Sequence, residues 1–406
     1  MTTSKPVTDW ATDWTHFDLR WVEDPFPIWE DLRSRCPIAH SMRFEDGAFF
    51  PSTYEYVREI AYDSDHFSSR RVIVREKKVE LQPNPPITSD PPEHTAARKL
   101  LLPAFTEKAI QRFEARTRQV CIDLLDNIGG VESCDASIQY AQHIPVLVIS
   151  EMLGLPADDG DRFRDWIHRL LEVGPTDPIV ADKALQEITL YFVGQVADRK
   201  PGGHLFEASD LISFLLSAKI NDEPLQESHL VGTLRLLLIA GIDTTWSAIG
   251  SSIWHLSTNP KDLRRLVNDP NLIPTAIEEF LRAYSPVTMA REVVKETSLG
   301  GCNFTVGSQI LLSFPAANRD PSVFEQADRV IIDRQENPHV AFGLGRHRCL
   351  GSNLARMEIR VALEEWLRRH PVFSLKIGEK VKWSEGTVRG PRTLPVTLGK
   401  SEQVCE

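Results

Sequence analysis

Hydrophobic and polar residues recur with a helical period through most of the chain between residues 94 and 256. Glycine and proline interrupt this period at residues 129–130, 155–156, 174–175 and 201–203, so we expect separate helices between these breaks. The longest uninterrupted stretch, residues 225–255, contains no proline and predicts a helix of roughly eight turns. Its middle, LRLLLIAGIDTTWSAIGSSIW, is apolar on nearly every side, which indicates burial in the core.

Shorter elements precede this helical region. The pattern predicts a helix over residues 24–35 and a β-hairpin over residues 37–53, with its turn at residues 45–47. A further helix over residues 52–64 has Ser52 or Thr53 as its cap. Residues 67–89 show no clean period and are rich in proline towards their end, so we expect a long irregular loop there. Loops of this length inside compact domains are often functional lids.

The C-terminal part mixes helices with short strands. Two helices are predicted within residues 260–284, another helix after Cys349, and a final strand pair within residues 382–398. Because small sheets lie at the edges of many helices, the fold class is α+β and mainly α. No flexible linker divides the chain, so residues 1–406 are predicted to form a single domain. The other predicted strands are REVVKET, SLGG, QILLSF and RVIID.

The composition narrows the class of protein. With 42% hydrophobic and 25% charged residues the chain is typical of a globular protein, and its net charge of −11 argues against nucleic-acid binding. The polar N-terminus carries no signal-like segment, and the longest apolar run, residues 236–242, is too short to cross a membrane. The cysteines lack paired spacing, which favours free thiols in a reducing cytoplasm. They are Cys36, Cys121, Cys134, Cys302, Cys349 and Cys405.

Cys349 lies in the glycine-rich segment FGLGRHRCLG, residues 342–351, directly before a strong helical pattern. A cysteine at a helix N-terminus faces free backbone N–H groups and the positive end of the helix dipole, and both favour a thiolate. Arg346, His347 and Arg348 add positive charge to the same loop. A thiolate held in this way is either an iron ligand or a nucleophile, and the loop alone leaves both open.

Asp243 and Thr244 lie in the middle of the long predicted helix, where polar side chains are costly unless they are paired. Thr244 can donate a hydrogen bond to the carbonyl of Ala240 and bend the helix, and Gly241 makes that distortion easier. One interpretation is a notch that admits a small molecule, with Asp243 and Thr244 relaying protons to it. The other is an ordinary helix kink with a solvated aspartate.

Three further signals are weak when each is taken alone. Glu279 and Arg282 share a helical face and can form an ion pair, although such pairs are common on protein surfaces. His94 and Arg98 are four residues apart and can hold one anionic group together, or simply begin a basic helix. Arg291 lies in a predicted strand among apolar residues and needs an anion there, unless it faces solvent from a sheet edge.

Together these segments resemble the cytochrome P-450 family, the haem-thiolate monooxygenases, of the soluble bacterial type, over essentially the whole chain. FGLGRHRCLG resembles the family's haem-binding loop, which implies that Cys349 is the iron ligand. AGIDTT, residues 240–245, resembles its oxygen-activating groove, which implies catalytic roles for Asp243 and Thr244. The resemblance also implies cofactor-binding roles for Phe342, Gly343, Gly351, His94, Arg98, Arg291 and His347, the last four at haem propionates, and a structural triad of Glu279, Arg282 and Arg334.

The resemblance implies a cytochrome P-450 fold that holds haem b, iron protoporphyrin IX. The implied reaction inserts one oxygen atom of O2 into a small hydrophobic substrate by hydroxylation, O-dealkylation or epoxidation. Because the chain has no flavin or dinucleotide motif, NAD(P)H electrons are expected through a separate ferredoxin and ferredoxin reductase. We expect a cytoplasmic monomer that does not bind membranes. The implied substrate contacts are the loop of residues 67–86 and Leu236, Ile239, Ala240, Val287, Thr288, Met289, Thr387 and Val388.

Two rival functions stay open. One is a peroxide-driven peroxygenase, against which the intact pair Asp243 and Thr244 argues, because that pair delivers protons to bound O2. The other is a haem-thiolate protein that senses a ligand without turnover. A basic patch near Cys349 would steer an acidic ferredoxin, unless its arginines are occupied by propionates and nearby acids. The patch comprises Arg98, Lys99, Arg112, Arg346, Arg348, Arg356 and Arg360.

Overall fold

The structure is a computed structural model that describes residues 5–77, 82–385 and 387–399. Part of the predicted 67–89 loop, and the predicted free thiol of Cys405, lie outside these residues. Helices dominate, as the sequence predicts. The α-helices are α1 (Leu19–Glu23), α2 (Phe26–Arg35), α3 (Tyr54–Tyr62), α4 (Glu93–Leu101), α5 (Glu107–Gln111), α6 (Glu114–Ile128), α7 (His143–Leu153), α8 (Gly160–His168), α9 (Pro178–Arg199), α10 (Leu211–Ser217), α11 (Glu227–Thr258), α12 (Pro260–Asn268), α13 (Ile273–Ala283), α14 (Phe314–Ala317) and α15 (Ser352–Arg369).

The strands form small sheets at the periphery, so the prediction of a mainly α fold is confirmed. The largest sheet has the order β1-β2-β10-β7-β3, a second has the order β11-β14-β4, and the others are the pairs β12-β13, β5-β6 and β8-β9. The strands are β1 (Ile38–Ser41), β2 (Ala48–Pro51), β3 (Phe67–Ser68), β4 (Ser133–Asp135), β5 (Lys219–Ile220), β6 (Glu223–Pro224), β7 (Thr288–Val293), β8 (Thr297–Leu299), β9 (Cys302–Phe304), β10 (Gln309–Ser313), β11 (Phe373–Leu375), β12 (Lys382–Trp383), β13 (Pro391–Thr393) and β14 (Pro395–Leu398).

Helix α11 is the centre of the fold. It has 32 residues and packs against α7, α9 and α15. Its length and apolar composition would suit a membrane span, but 67% of its most apolar window is buried inside the protein. Burial of apolar surface on most sides therefore makes α11 a core helix, as its sequence pattern predicts.

The predicted N-terminal elements are confirmed, and their local chemistry explains them. Strands β1 and β2 pair in antiparallel register across the predicted turn, where Asp46 and Gly47 both have positive φ. Thr53, one of the two predicted caps, accepts a hydrogen bond from the backbone N–H of Tyr56 and so begins α3. The loop that begins at residue 67 is irregular as predicted, apart from β3, which pairs with β7.

The predicted strand RVIID is wrong. Its backbone groups bond to buried side chains of α13 instead of to a neighbouring strand. Arg282 donates to the carbonyl of Arg329 over 2.6 Å, and the N–H of Ile331 donates to Glu279 Oε1 over 2.8 Å. A β-rich composition predicts a strand only while the backbone groups lack better partners. The short helix α14 was also missed, because it follows the predicted strand QILLSF without a break.

Candidate active site

A cavity of about 370 Å³ inside the protein brings most of the predicted site residues together. The loop that carries Cys349 and the middle of α11 both contribute to its lining. A more open depression of about 440 Å³ lies on the surface between α3 and β8, and Phe67 is its only lining residue from the predicted substrate loop. The chemistry of the chain is therefore concentrated around the internal cavity.

The loop of residues 342–351 presents the Cys349 thiol to this cavity. The N–H of Cys349 donates to the carbonyl of Phe342 over 2.7 Å, which closes the loop. Gly345 has φ +64, and a Cβ there would lie 2.9 Å from the carbonyl oxygen of Ala61. Helix α15 begins at Ser352, so Cys349 precedes its first turn.

The charge state of Cys349 bears on its two possible roles, as an iron ligand or as a nucleophile. We expected its surroundings to lower its pKa, but burial raises the pKa of the thiol, although the N–H of Gly351 and the charges of Arg98, Arg348 and Arg356 oppose the shift. A raised pKa favours the thiol form, which is the weaker nucleophile. A bound metal ion deprotonates a coordinating thiol outright, so the environment suits an iron ligand.

Four cationic or donor side chains line the same cavity. The rings of His94 and His347 lie 4.1 Å apart between centroids, and neither Nε2 atom has a hydrogen-bond partner among the described residues. Arg291 is 4% exposed and donates through Nη1 to the carbonyl of Ala290 over 2.7 Å, while Arg98 donates to the carbonyl of Arg348.

Burial and mutual repulsion both disfavour the charged forms of these groups. Burial lowers the pKa of His94 to about 4, that of His347 to about 2 and that of Arg291 to about 10, and nearby arginines depress both histidines further. None of these groups forms a salt bridge within residues 5–77, 82–385 and 387–399, and neither does Arg98. Such a cluster is complete only with a carboxylate or another anion.

The middle of α11 forms another wall of the cavity. Thr244 Oγ1 donates to the carbonyl of Ala240 over 2.9 Å, as the sequence predicts. Gly241 lines the cavity, and a Cβ there would lie 3.1 Å from Ile149 Cγ1, so glycine also allows close packing against α7. Thr244 lines the cavity too, so its hydroxyl is available to a molecule bound there.

The pair of Glu279 and Arg282 is fully buried, so the alternative of a surface ion pair is wrong. Arg282 donates through Nε and Nη2 to the two carboxylate oxygens of Glu279, each over 2.8 Å. Arg334 donates to Glu279 Oε2 over 3.0 Å, which completes the predicted triad. The triad fixes the chain segment that leads into the Cys349 loop.

Comparison with known proteins decides the family. The family model named Cytochrome P450 matches residues 183–391. The chain is 34% identical over 362 residues to the mycinamicin IV hydroxylase/epoxidase of Micromonospora griseorubida, covering 87% of this chain and 90% of that protein. The chain belongs to the cytochrome P450 family. It is also 34% identical over 389 residues to the vitamin D(3) 25-hydroxylase of Pseudonocardia autotrophica, covering 93% and 94% of the two chains.

Solved structures agree with this assignment. The structure of CYP109E1 from Bacillus megaterium in complex with testosterone aligns with a TM-score of 0.86 at 30% identity, covering 93% of this chain and 98% of that chain. The predicted cytochrome P450 fold is thus confirmed, and the hydroxylases and epoxidases among the relatives make this protein a cytochrome P450 monooxygenase. The family brings with it a haem-thiolate cofactor, a small-molecule substrate and O2.

The residues of this cytochrome P450 fit a haem. A thiol, two unpartnered imidazole nitrogens and a buried arginine without a carboxylate partner all line one cavity. A Cβ on Gly351 would lie 4.0 Å from Cys349 Sγ, so glycine keeps the space beside the sulfur free of a side chain. Phe342 and Gly343 line the same part of the cavity. An iron porphyrin with two carboxylates satisfies the thiol and the cationic cluster together.

The predicted substrate contacts of this cytochrome P450 also line the cavity. Strand β7 brings its first residues next to the last part of the chain, because Val287 pairs with Val388 and the N–H of Thr288 donates to the carbonyl of Thr387. The lining is mostly apolar, as the resemblance implies. The eight predicted residues on it are Leu236, Ile239, Ala240, Val287, Thr288, Met289, Thr387 and Val388.

Asp243 departs from the other predicted catalytic and cofactor-binding residues, because it does not line the cavity of this cytochrome P450. It is 1% exposed, so the interpretation as a solvated aspartate is wrong. Arg392 Nη2 lies 2.8 Å from its Oδ1, and Arg392 Nε donates to Glu172 Oε1 over 2.5 Å. His168, which is 58% exposed, lies 3.6 Å from Glu172. A line of polar groups therefore connects Asp243 with the surface.

This network was not predicted from the sequence. Burial raises the pKa of Asp243 to about 6, although Arg392 opposes the shift. The costly acid in an apolar helix signalled that a cation was needed, but nothing in the segment GPRTLP marked Arg392 as the partner. The two lie 149 residues apart in the sequence.

The predicted basic patch of this cytochrome P450 divides into Arg98, which lines the cavity, and two further groups. Arg356 pairs with Glu278 over 2.7 Å, and Arg360 pairs with Glu114 over 2.7 Å, so nearby acids occupy these two arginines as the alternative proposed. The other group consists of the exposed Lys99, Arg112, Arg346 and Arg348.

Proposed function

We propose that this cytochrome P450 binds haem b through Cys349 and oxygenates an apolar small molecule with electrons from a ferredoxin and an NAD(P)H-dependent ferredoxin reductase. When bound, the haem supplies O2 activation, and its thiolate ligand favours O–O cleavage. The observation that carries the proposal is that Cys349, Thr244 and the apolar lining residues share one cavity. The reaction is a hydroxylation, O-dealkylation or epoxidation of the molecule held there.

The cationic cluster orients the cofactor. His94, Arg98, Arg291 and His347 receive the two haem propionates and replace the solvent that these carboxylates lose on burial. The unpartnered Nε2 atoms of His94 and His347 support this role. The triad around Glu279 acts indirectly, because it holds the backbone that leads into the Cys349 loop.

Two side chains of α11 manage protons. Thr244 Oγ1 holds and passes a proton at the cavity, while its bond to Ala240 keeps the hydroxyl in place. Asp243 stands behind it with a pKa raised to about 6 by burial, so its carboxyl exchanges protons readily near neutral pH. Arg392 and Glu172 link this carboxyl with the half-exposed His168, which supports a route for protons from solvent.

The proposed electron donor is an acidic ferredoxin that docks near the Cys349 loop. Arg346 and Arg348 are exposed within that loop, and Lys99 and Arg112 are exposed on the neighbouring segments. Positive charge there raises the rate of encounter with an acidic partner even though the chain is acidic overall. We further propose that residues 1–406 form a single domain that works as a cytoplasmic monomer, without a membrane or nucleic-acid partner.

Turnover assays test the activity. The haem-loaded protein is mixed with ferredoxin, reductase, NADH and candidate apolar substrates. Oxygenated product formed with NADH consumption supports the proposal. Product formed only with added peroxide indicates a peroxygenase, and spectral binding shifts without product in either case indicate a ligand sensor. Both of these results contradict the proposed monooxygenase.

The ligand assignment has its own test. In Cys349→Ser, the strongly red-shifted band of the reduced carbon-monoxide complex is expected to disappear, because that band reports a thiolate ligand. Cys302→Ser is a matched control, since Cys302 lies in β9 and does not line the cavity. A red-shifted band that survives in Cys349→Ser contradicts the assignment of Cys349.

A further inference from the structure

Arg75 is a buried cation in the cavity whose presence the binding of the haem propionates does not explain. Arg75 is 7% exposed and lines the cavity, and its Nε has no hydrogen-bond partner. Within the described part of the chain, its guanidinium group forms no salt bridge and donates no hydrogen bond. A buried guanidinium without a partner is unfavourable, so a partner outside the protein is expected.

The position of Arg75 is fixed by its backbone. The N–H of Arg75 donates to Gln309 Oε1 over 3.1 Å, and Gln309 Nε2 donates back to the carbonyl of Arg75 over 2.9 Å. The preceding Val74 is fully buried in a cluster with residues of β2, β7 and β10. Because Gln309 binds both the N–H and the carbonyl of Arg75, the backbone places this cation at a fixed position in the cavity wall.

Arg235 provides a comparison, because it is a buried arginine whose hydrogen-bond acceptors belong to the protein. It is 4% exposed, and it donates to Asn84 Oδ1, Thr189 Oγ1 and the carbonyl of Pro83 over 2.8–3.0 Å. Among the described residues, Arg75 has no comparable set of acceptors. The contrast indicates that the acceptor of Arg75 arrives with the bound molecule.

Arg75 is distinct from the cluster that receives the haem propionates. The charges that act on Arg75 are those of Asp182 and Arg71, whereas those that act on His347 are Arg291, His94, Arg98 and Arg346. Asp182 lines the cavity from the first turns of α9, but it is exposed and makes no salt bridge with Arg75. Solvent therefore stabilises Asp182, and Arg75 has no ion-pair partner within residues 5–77, 82–385 and 387–399.

We propose that the substrate of this cytochrome P450 is an apolar carboxylic acid whose carboxylate pairs with Arg75. The inference rests on the proposed function, and it narrows the substrate class. The planar guanidinium group binds a carboxylate through two parallel hydrogen bonds, which fixes the orientation of the bound molecule. The apolar body of the acid then lies along Val287 and Ile239, which line the same cavity as Arg75 and Thr244. Burial lowers the pKa of Arg75, whereas the negative charge of Asp182 raises it. A bound carboxylate likewise stabilises the charged guanidinium group and so offsets the effect of burial.

Calorimetric titration of the haem-loaded protein tests this with three pairs of probes. The probes are dodecanoic acid, 4-butylbenzoic acid and abietic acid, each beside its methyl ester. At least one acid is expected to bind about ten- to a hundredfold more tightly than its ester, since hydrogen bonds to charged groups are worth this much. If every acid binds no better than its ester, the proposal is overturned without any variant.

Variants then locate the effect. Arg75→Gln is expected to lose the preference for the acid while the affinity for the ester is unchanged, and Arg75→Lys to keep part of it. Arg70→Gln is the matched control, because Arg70 is 66% exposed in the same segment, and it is expected to keep the full preference. Asp182→Asn is expected to keep it too. A preference that persists in Arg75→Gln, or is lost in Asp182→Asn, overturns the proposal.

The carbon-monoxide spectrum of each preparation distinguishes a failure of the proposed haem-thiolate function from a failure of the proposed carboxylate recognition alone. A wild-type protein without the red-shifted band removes the proposed haem-thiolate function and this inference with it. A wild-type protein that has the band but no preference for acids removes this inference alone.

Discussion

Replacing Arg392 with glutamine tests the network behind α11. The change removes the cation that contacts Asp243 Oδ1 at 2.8 Å, and it leaves that carboxylate 1% exposed without a counter-ion. Removing one partner of a buried pair costs about 3–5 kcal/mol. We therefore expect the free energy of unfolding of Arg392→Gln to fall by about this amount at pH 8.

The loss is expected to depend on pH in a defined direction. The pKa of Asp243 is about 6 in the folded protein and 3.8 as its ordinary value, so the folded state binds the proton more tightly. That shift corresponds to about 3 kcal/mol of stability, which is present below pH 4 and lost as pH rises to about 6. Without Arg392 the pKa of Asp243 rises further, so protonation at pH 5.5 removes the unpaired charge and most of the penalty.

Urea unfolding of the haem-loaded proteins at pH 8 and pH 5.5 measures both effects. The double variant Arg392→Gln/Asp243→Asn is expected to recover most of the stability at pH 8, because the buried carboxylate that lost its counter-ion is gone. An equal loss at both pH values, or no recovery in the double variant, refutes the reasoning.

Three further predictions concern the site. Thr244→Ala is expected to keep haem and substrate binding but to divert NADH electrons to hydrogen peroxide, and unchanged coupling of NADH to product would remove Thr244 from the relay. Glu279→Gln leaves two arginines without a carboxylate, so a loss of about 3–5 kcal/mol and poor haem retention are expected in urea unfolding and absorbance; stability like that of the wild type would contradict a structural role. Gly345→Ala is expected to lower the unfolding free energy by more than about 1 kcal/mol, because a Cβ at φ +64 would lie 2.9 Å from the carbonyl oxygen of Ala61.

Gly378→Ala is the matched control for Gly345→Ala. Gly378 also has a positive φ, +85, but a Cβ there would meet nothing within 4 Å. The difference between the two variants isolates the contact with Ala61 from the backbone strain that they share. If both variants lose the same stability, the close contact at Gly345 has no energetic weight.

Local pattern was enough for much of the fold. The apolar middle of α11 has few ways to avoid water other than burial, and Thr53 offers α3 the cap that its first N–H groups need. The strand predicted at RVIID failed because its backbone partners are side chains of α13, more than 40 residues earlier, which no local pattern contains. Propensity describes what a segment prefers alone, and tertiary contacts decide the outcome.

The same distinction between local pattern and tertiary contact applies to the residues of the site. Cys349, Thr244 and the eight predicted lining residues lie in segments whose motifs are contiguous, and the structure brings them to one cavity. Arg392 and Arg75 carry no motif, since each acquires its meaning from a distant residue or from the cavity itself.

The pairing of Asp243 with Arg392 has a consequence for synthesis on the ribosome. The two residues are 149 positions apart. At a translation rate of 5–20 residues per second, roughly 7 to 30 s therefore pass between the synthesis of Asp243 and that of Arg392, whose guanidinium group neutralises the buried acid. During that interval a long apolar helix with an unpaired carboxylate is exposed to solvent and to other nascent chains. Chaperone binding during translation is therefore expected to concentrate on α11, and release to follow the emergence of β13.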